Sequence, residues 1–324
     1  MTSPNLSEIV TTTLRNRTGR LADNMSDNNA ILRYMKKRGT IKPVSGGRTI
    51  VQELDYADNV TYQRYSGYEV LNISPSDVFT AAEFDWKQVS VAVTISGLEG
   101  DVQNTGEEAI INLLESRIKN AEKTMMNGLS ADMYSNGTAS GGKQIGGLQL
   151  LVADDPTSGT VGGINRLTWN FWRNQALKST TVTGSAASAA NIQRSMNSLY
   201  LSCSRGVDQP NLILADNNYY SFYWNSLQQI QRITDTQTAD AGYAALKFKG
   251  ADVVFDGGVG GACPTNHMYF LNTDYIHWRP HSNRNMVPGE AINSINQDAM
   301  VKFLLWAGNM TLSNAFTQGV LFQD

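Results

Sequence analysis

The stretch "TGEEAIINLLESRIKNAEKTMMNGLSADMY", residues 105–134, limits the fold more than any other part of this chain. Thr105 and Glu108 have capping-box spacing, and Ile111, Leu114, Ile118, Ala121, Met125, Leu129 and Met133 recur at helical intervals. The pattern predicts one amphipathic helix over 105–134, about 45 Å long at 1.5 Å per residue. Gly128 costs roughly 1 kcal/mol against alanine and is a candidate kink. So long a helix with a single apolar stripe must serve as a backbone on which other elements lie.

The segments before it do not look able to build a core. In "NAILRYMKKRG", Ile31, Leu32 and Met35 form one apolar stripe before a basic stop, as in an arm that needs a surface to lie on. Residues 1–48 carry nine Lys/Arg against three Asp/Glu, about +6, while the remainder carries 17 against 26, about −9. A basic arm of this kind suits nucleic-acid phosphates, an acidic neighbouring surface, or plain solvation. From Gly46 to Ser74 the chain is rich in β-formers and polar turns but poor in aliphatics, which predicts a projecting hairpin. In "EFDWKQVSVAVTISG" the alternation set by Phe84 and Trp86 changes phase to Val89, Val91, Val93 and Ile95, so a bulge is expected near Lys87 and Gln88.

Beyond the helix, "SNGTASGGK" and "ADDPTSGTVGG" are loops, and Trp169 and Trp172 in "LTWNFWRNQ" would share a helical face. Residues 190–282 then alternate. A helix at Ile192, Met196, Leu199 and Cys203 is followed by strand "NLILAD", helix "NYYSFYWNSLQQIQRI" and strands "KGADVVFDG" and "HMYFLNTDYIHW". That order implies an α/β layer. The ending "AMVKFLLWAGNMTLSNAFTQGVLFQD" reads as two strands about a Gly308-Asn309 turn.

The 324 residues, 41% hydrophobic and 17% charged, are those of a globular protein, and no apolar run approaches the roughly 20 residues of a membrane span. "MTSPNLSEIV" lacks the regions of a secretory signal, so Cys203 and Cys263 are expected to be reduced thiols in a cytoplasm.

Chemistry is sparse. All three histidines fall in "HMYFLNTDYIHWRPH", with Asp274 among them and Cys263 upstream, which raises a metal site at His267, Asp274, His277 and His281. As one strand, residues 267 and 277 would stand about 33 Å apart, and Pro280 opposes the helix that the 277/281 spacing would need. A turn at Asn272 and Thr273 could bring them closer, but no second compact set of ligands exists, so surface or interface histidines are the preferred reading. "DGGVGG" lacks the Lys-Ser/Thr ending of a phosphate loop and reads as a turn. Asp154 and Asp155 begin the turn sequence "DDPTSG", and no nucleophile motif is present.

In this order, "AAEFDWKQVSVAVTISGLEG" leading into the long helix, "GTVGGINRLTWNFWRNQ", "MYFLNTDYIHWRPH" and "DAMVKFLLWAGNMTLSNAFTQGVL" resemble the major capsid proteins of tailed bacteriophages, with the Hong Kong 97-type fold. The resemblance covers nearly the whole chain. It implies an α+β fold with residues 1–45 as N-terminal arm and 46–84 as the projecting E-loop over a neighbouring subunit. Residues 85–189 become a peripheral domain with its spine helix at 105–134, 190–295 an α/β axial domain, and 296–324 strands returning to the periphery.

The function it implies is a structural subunit, not an enzyme, forming hexamers and pentamers of an icosahedral head around double-stranded DNA. No cofactor or membrane is implied. Partners would be further copies, a separate scaffold protein, a portal and a cement protein, with assembly in the host cytoplasm. No lysine lies between Lys42 and Lys87, so the E-loop lysine cross-link of the family's founding member has no counterpart here. Arg33, Lys36, Lys37 and Arg38 on the arm and Glu53, Asp55 and Asp58 on the E-loop are the candidate intersubunit charges. An encapsulin-type shell is a close variant; a metal enzyme at the histidines and a nucleic-acid-binding module using the arm are rivals from other classes.

Overall fold

A computed structural model describes residues 30–98, 113–227, 246–257, 261–290, 292–293 and 297–323. Helix α1 (Ala30–Arg38) leads to strands β1 (Ile50–Asp55), β2 (Phe79–Phe84) and β3 (Lys87–Ser96), and then to α2 (Leu113–Asp132). After two one-turn helices come β4 (Thr160–Val161), β5 (Ile164–Asn165) and β6 (Gln175–Lys178). Next are α3 (Ile192–Cys203), β7 (Leu212–Ala215), α4 (Asn217–Ser226), β8 (Leu246–Phe248) and β9 (Ala251–Phe255). The chain ends with β10 (His267–Leu271), β11 (Ile276–Pro288), β12 (Ile292–Asn293), β13 (Ala299–Leu312) and β14 (Gly319–Phe322).

Two sheets carry the body. In the first, β13 is central, with β3 along one edge and β11 and then β12 along the other, all antiparallel. The second is six-stranded, ordered β6-β14-β10-β7-β9-β8, with β7 parallel to β9 and β14 parallel to β6. Because side chains alternate across a strand, this sheet divides the core in two. Leu212, Leu214, Tyr269, Leu271 and Val320 face a cluster containing Met125, Leu129 and Met133 of the long helix and the stacked pair Trp278 and Trp306. Ile213, Ala215, Met268, Phe270 and Leu321 face the other cluster, with Ile192, Met196 and Leu199 of α3 and Tyr219 and Tyr223 of α4. The predicted α/β layer is therefore present, and the predicted α3 stripe is buried along its whole length.

The long helix has its predicted stripe at Ala121, Met125, Leu129 and Met133, all buried. It runs through Gly128 to Asp132 as one element, so that glycine makes no break. The capping box at Thr105 and Glu108, with Ile111, lies outside the described residues, as do arm residues 1–29, most of "DGGVGG" and the end of the predicted fourth helix.

Four expectations change. The phase shift near Lys87 and Gln88 is not a bulge: β2 pairs with β1 and β3 with β13, so two strands of different sheets meet there. Gly308 and Asn309 are not a turn but lie inside β13. A Cβ on Gly308 would stand 2.5 Å from the Arg279 carbonyl, so glycine is present for close packing. The chain reverses instead between Ser313 and Gln318, and β14 enters the six-stranded sheet between β6 and β10.

Trp169 and Trp172 flank a single 3-10 turn and do not share a face: Trp172 is buried and Trp169 exposed. Finally, residues 30–44 lie on this chain's own body. Ile31, Tyr34 and Met35 are buried, the Tyr34 hydroxyl donates to the Asn211 carbonyl at 3.1 Å, and Lys42 and Val44 donate backbone N–H bonds to Trp278 and Pro280.

Candidate functional site

The hairpin formed by β1 and β2 has one buried and one open face. Ile50 and Leu54 of β1 and Ala82 and Phe84 of β2 point into the core, while Val51, Glu53 and Asp55 alternate outward. Gly162, with φ +58°, lets the β4–β5 turn approach so closely that a Cβ there would lie 2.8 Å from the Ala82 methyl. Its carbonyl accepts from the Glu83 N–H at 2.9 Å. The base of the hairpin is thus clamped to the body.

Beyond Asp55 and Phe79 the ladder gives way to isolated bonds: Tyr56 N–H to the Val78 carbonyl, Ser76 hydroxyl to Asn59, and Gln63 amide to the Val70 carbonyl. Gly67, at φ +61°, makes the turn at the tip. Of the twenty exposed large apolar side chains among the described residues, nine lie between Val51 and Phe79, so exposure is concentrated on one projecting element. Tyr62 is 82% exposed, Val70 93% and Ile73 91%. Scattered apolar residues on a surface are ordinary, but a cluster of this kind marks an interaction surface.

Between the hairpin base and the body lies a cleft of about 530 Å³. Asp55, Asp58, Phe171, Trp172, Arg205 and Phe316 are among the residues that line it. Tyr56 packs on Phe171 and edge-on to Trp169, with ring centroids 5.4 and 5.7 Å apart.

The candidate contact charges Arg33, Lys36, Lys37 and Arg38 lie exposed on α1, and Glu53, Asp55 and Asp58 lie exposed on the hairpin. Arg38 also covers the Tyr34 ring at 5.5 Å. Sequence reasoning missed the apolar tip, although "YQRYSGYEVLNI" carries large side chains in a polar, turn-rich setting where no strand pattern would bury them.

The histidines have separate surroundings. His267, on β10, hydrogen-bonds Asp154 at 3.1 Å and the Thr265 carbonyl at 2.7 Å. Burial pulls its pKa down, but the bonds to Asp154 and Thr265 and the charges of Asp154 and Asp216 outweigh this and raise it. His277, on β11, is buried with Nδ1 unpartnered, and burial together with Lys42 and Arg279 lowers its pKa to about 4. His281 packs edge-on to Trp86 and its Nδ1 accepts from the Asn283 N–H. Asp274 is exposed on the 3-10 turn between β10 and β11.

Among the described residues no group of three or more His, Cys, Asp or Glu side chains is placed to hold a metal ion. Nor is any described helix long and apolar enough to cross a membrane. Cys263 is half-buried near Asp216 and Asp256, and desolvation first, then these charges, hold its thiol well above the usual range. Asp155 accepts from the Thr157 N–H and hydroxyl, the Asx turn expected of "DDPTSG".

A clamped hairpin, a long helix, a sheet centred on β13 and a six-stranded α/β sheet, in this chain order, make up the α+β Hong Kong 97-type capsid fold. No protein-family model and no curated protein matches the sequence. Among solved structures, the chain is similar to the capsid asymmetric unit of cyanophage A-1(L), with TM-score 0.62 and 15% identity over 99% of each chain. The capsid of a native GTA particle matches with TM-score 0.57 and 10% identity over 94% of each chain. The SrpI encapsulin of Synechococcus elongatus PCC 7942 matches with TM-score 0.56 and 9% identity, over 94% of this chain and 91% of that one.

Proposed function

We propose that this chain is an architectural subunit of a protein shell, assembling into hexamers and pentamers of an icosahedral phage head that encloses double-stranded DNA. The observation carrying this reading is the hairpin, whose base is fixed to the core while its tip presents an apolar surface that the described residues leave uncovered. At about 25 cal/mol per Å² of apolar area, covering such a tip favours association strongly, and neighbouring copies are the natural source of cover. The charges on α1 and on the hairpin would then add intersubunit register, each exposed pair contributing about 0 to 1 kcal/mol.

A fold shared with phage and GTA capsids over nearly the whole chain supports the same role. Scaffold, portal and cement proteins belong to this proposal as partners, and virion and host cytoplasm as its locations. The rest of the chain carries a net negative charge, which suits weak, non-specific contact with packaged DNA.

The second reading, a compartment that encloses proteins, is favoured by the likeness to an encapsulin over 94% of the chain. Purified particles distinguish the two. Nuclease-resistant DNA of genome length inside them supports the head, whereas co-purifying protein cargo without DNA supports the compartment.

A further inference from the structure

The segment after α1 runs beside β11 and brings a cation to it. Ile41 bridges to Trp278 and Val44 to His281, both in parallel, and the Lys42 N–H donates to the Trp278 carbonyl at 2.9 Å. Side chains alternate along a strand, so His277 and Arg279 lie on the face of β11 opposite Trp278, whose ring stacks on Trp306. Lys42, one residue past the Ile41 bridge, lies on that same face.

This cluster has positive charge and donors to spare. The Arg279 guanidinium is held by two neutral groups: Nε donates to the Thr311 hydroxyl at 3.4 Å, and an Nη donates to the Gln52 side-chain carbonyl at 2.8 Å. Other N–H groups of its fork are left unused. Neither Lys42 nor Arg279 has an ion-pair partner among the described residues. His277 is 5% exposed, yet its Nδ1 has no hydrogen-bond partner, and a polar atom buried in this way calls for a cause. Burial first, and then the positive charges of Lys42 and Arg279, hold the ring neutral at pH 7. Lys42 is exposed and Arg279 half-buried, so the cluster opens to solvent on their side.

We infer that Lys42, His277 and Arg279 form a site for one small tetrahedral oxyanion of the sulfate and phosphate class. The anion accepts from the Lys42 ammonium and the unused guanidinium N–H groups, while Thr311 and Gln52 keep the guanidinium in position. Its charge offsets the two cations, so the His277 ring takes a proton from solvent on binding and becomes a third donor. The filled site ties residues 41–44 to β11. It goes beyond the shell reading and stands whether the particle holds DNA or protein.

Isothermal titration calorimetry of the full-length chain with sodium sulfate, at pH 6 and constant ionic strength set by sodium chloride, tests this. One saturable site per chain is expected, with phosphate competing for it. Lys42→Met, at an exposed position that leaves the fold intact, should weaken binding about tenfold, and Lys42→Arg should keep it. Arg284→Gln removes a cation that bonds Gln88 outside the site and should change nothing. Sulfate brings no proton of its own at this pH, so the binding heat should vary with the ionisation enthalpy of the buffer in wild type and not in His277→Gln.

Absence of saturable binding, equal weakening by Lys42→Met and Arg284→Gln, or a wild-type heat independent of buffer would overturn the site. A short DNA duplex that binds through Lys42 where sulfate does not would overturn its assignment to a small ion.

Discussion

The Tyr134 hydroxyl, just past the end of the long helix, donates a hydrogen bond to the buried carboxylate of Asp256 at the end of β9, 122 residues away. This bond ties the helix to the six-stranded sheet at a point where both groups are out of water. Burial first, and then the charge of Asp256, hold the Tyr134 hydroxyl well above its ordinary pKa, so it remains a donor throughout the working range. Tyr134→Phe removes one donor from a buried carboxylate and should cost about 1–3 kcal/mol. Urea unfolding of unassembled subunits measures this; an unchanged midpoint would show that the bond contributes nothing net.

Two glycines should respond to alanine with opposite signs. Gly308→Ala drives a methyl onto the Arg279 carbonyl and the Trp306 ring, and overpacking of this kind costs about 1–3 kcal/mol. Gly128 is exposed on the long helix, where a new Cβ meets nothing within 4 Å. Gly128→Ala should stabilise by about 0.5–1 kcal/mol. Thermal unfolding of both variants checks the pair, and equal shifts would contradict the assigned environments.

His277 gives the fold a defined acid response. Its imidazole takes up a proton near pH 6.5 when unfolded but only near pH 4 when folded. Between those values the unfolded state binds more protons, so stability falls as pH drops from about 6.5 to about 4 and levels off below. The full shift corresponds to roughly 3 kcal/mol, which solvent screening of a partly solvated ring reduces to the order of 2 kcal/mol. His277→Leu should flatten the difference in this window whatever its effect at pH 8, and equal slopes for variant and wild type would rule His277 out as the source.

His267 titrates the other way. Asp154→Asn removes the carboxylate that raises the imidazole and leaves burial, which lowers it, so the pKa should fall. The ring-proton NMR titration reads this directly. Added zinc should leave the same resonances in place; broadening specific to His267, His277 and His281 together would revive the metal reading.

Regular periodicity made the two major helices legible, because a stripe such as Ile192, Met196, Leu199 and Cys203 can be buried in only one way. The first hairpin strand was legible too, from β-formers before polar turns, whereas the second, Phe79–Phe84, lies beyond the Gly46–Ser74 span that carried the hairpin pattern. The errors share a cause: where an element ends is decided by partners distant in sequence. The Gly308-Asn309 pair looks like a turn locally, yet Gly308 packs against Arg279, and Asn309 accepts from Gly146 and donates to the Asp85 carbonyl. No local pattern shows that β14 pairs with β6, 144 residues earlier. Likewise residues 30–44 read as an arm in search of a surface, although the same chain supplies it: Asn211 to Tyr34 of α1, and β11 to Lys42 and Val44. At the candidate site, the charges stood out in the sequence, but the cleft did not, since it joins residues near positions 55, 171, 205 and 314.

The central claim is that the apolar hairpin tip drives assembly while contributing little to the subunit's own stability. The decisive measurement is negative-stain electron microscopy of the expressed full-length chain, beside a variant with Val70→Ser, Leu71→Ser and Ile73→Ser. Wild type should form closed shells or five- and six-fold rings. The variant should remain as monomers with a urea midpoint within error of wild type, because these side chains are exposed already. Wild-type protein that stays monomeric at every concentration, or a variant that assembles as well as wild type, would contradict the account.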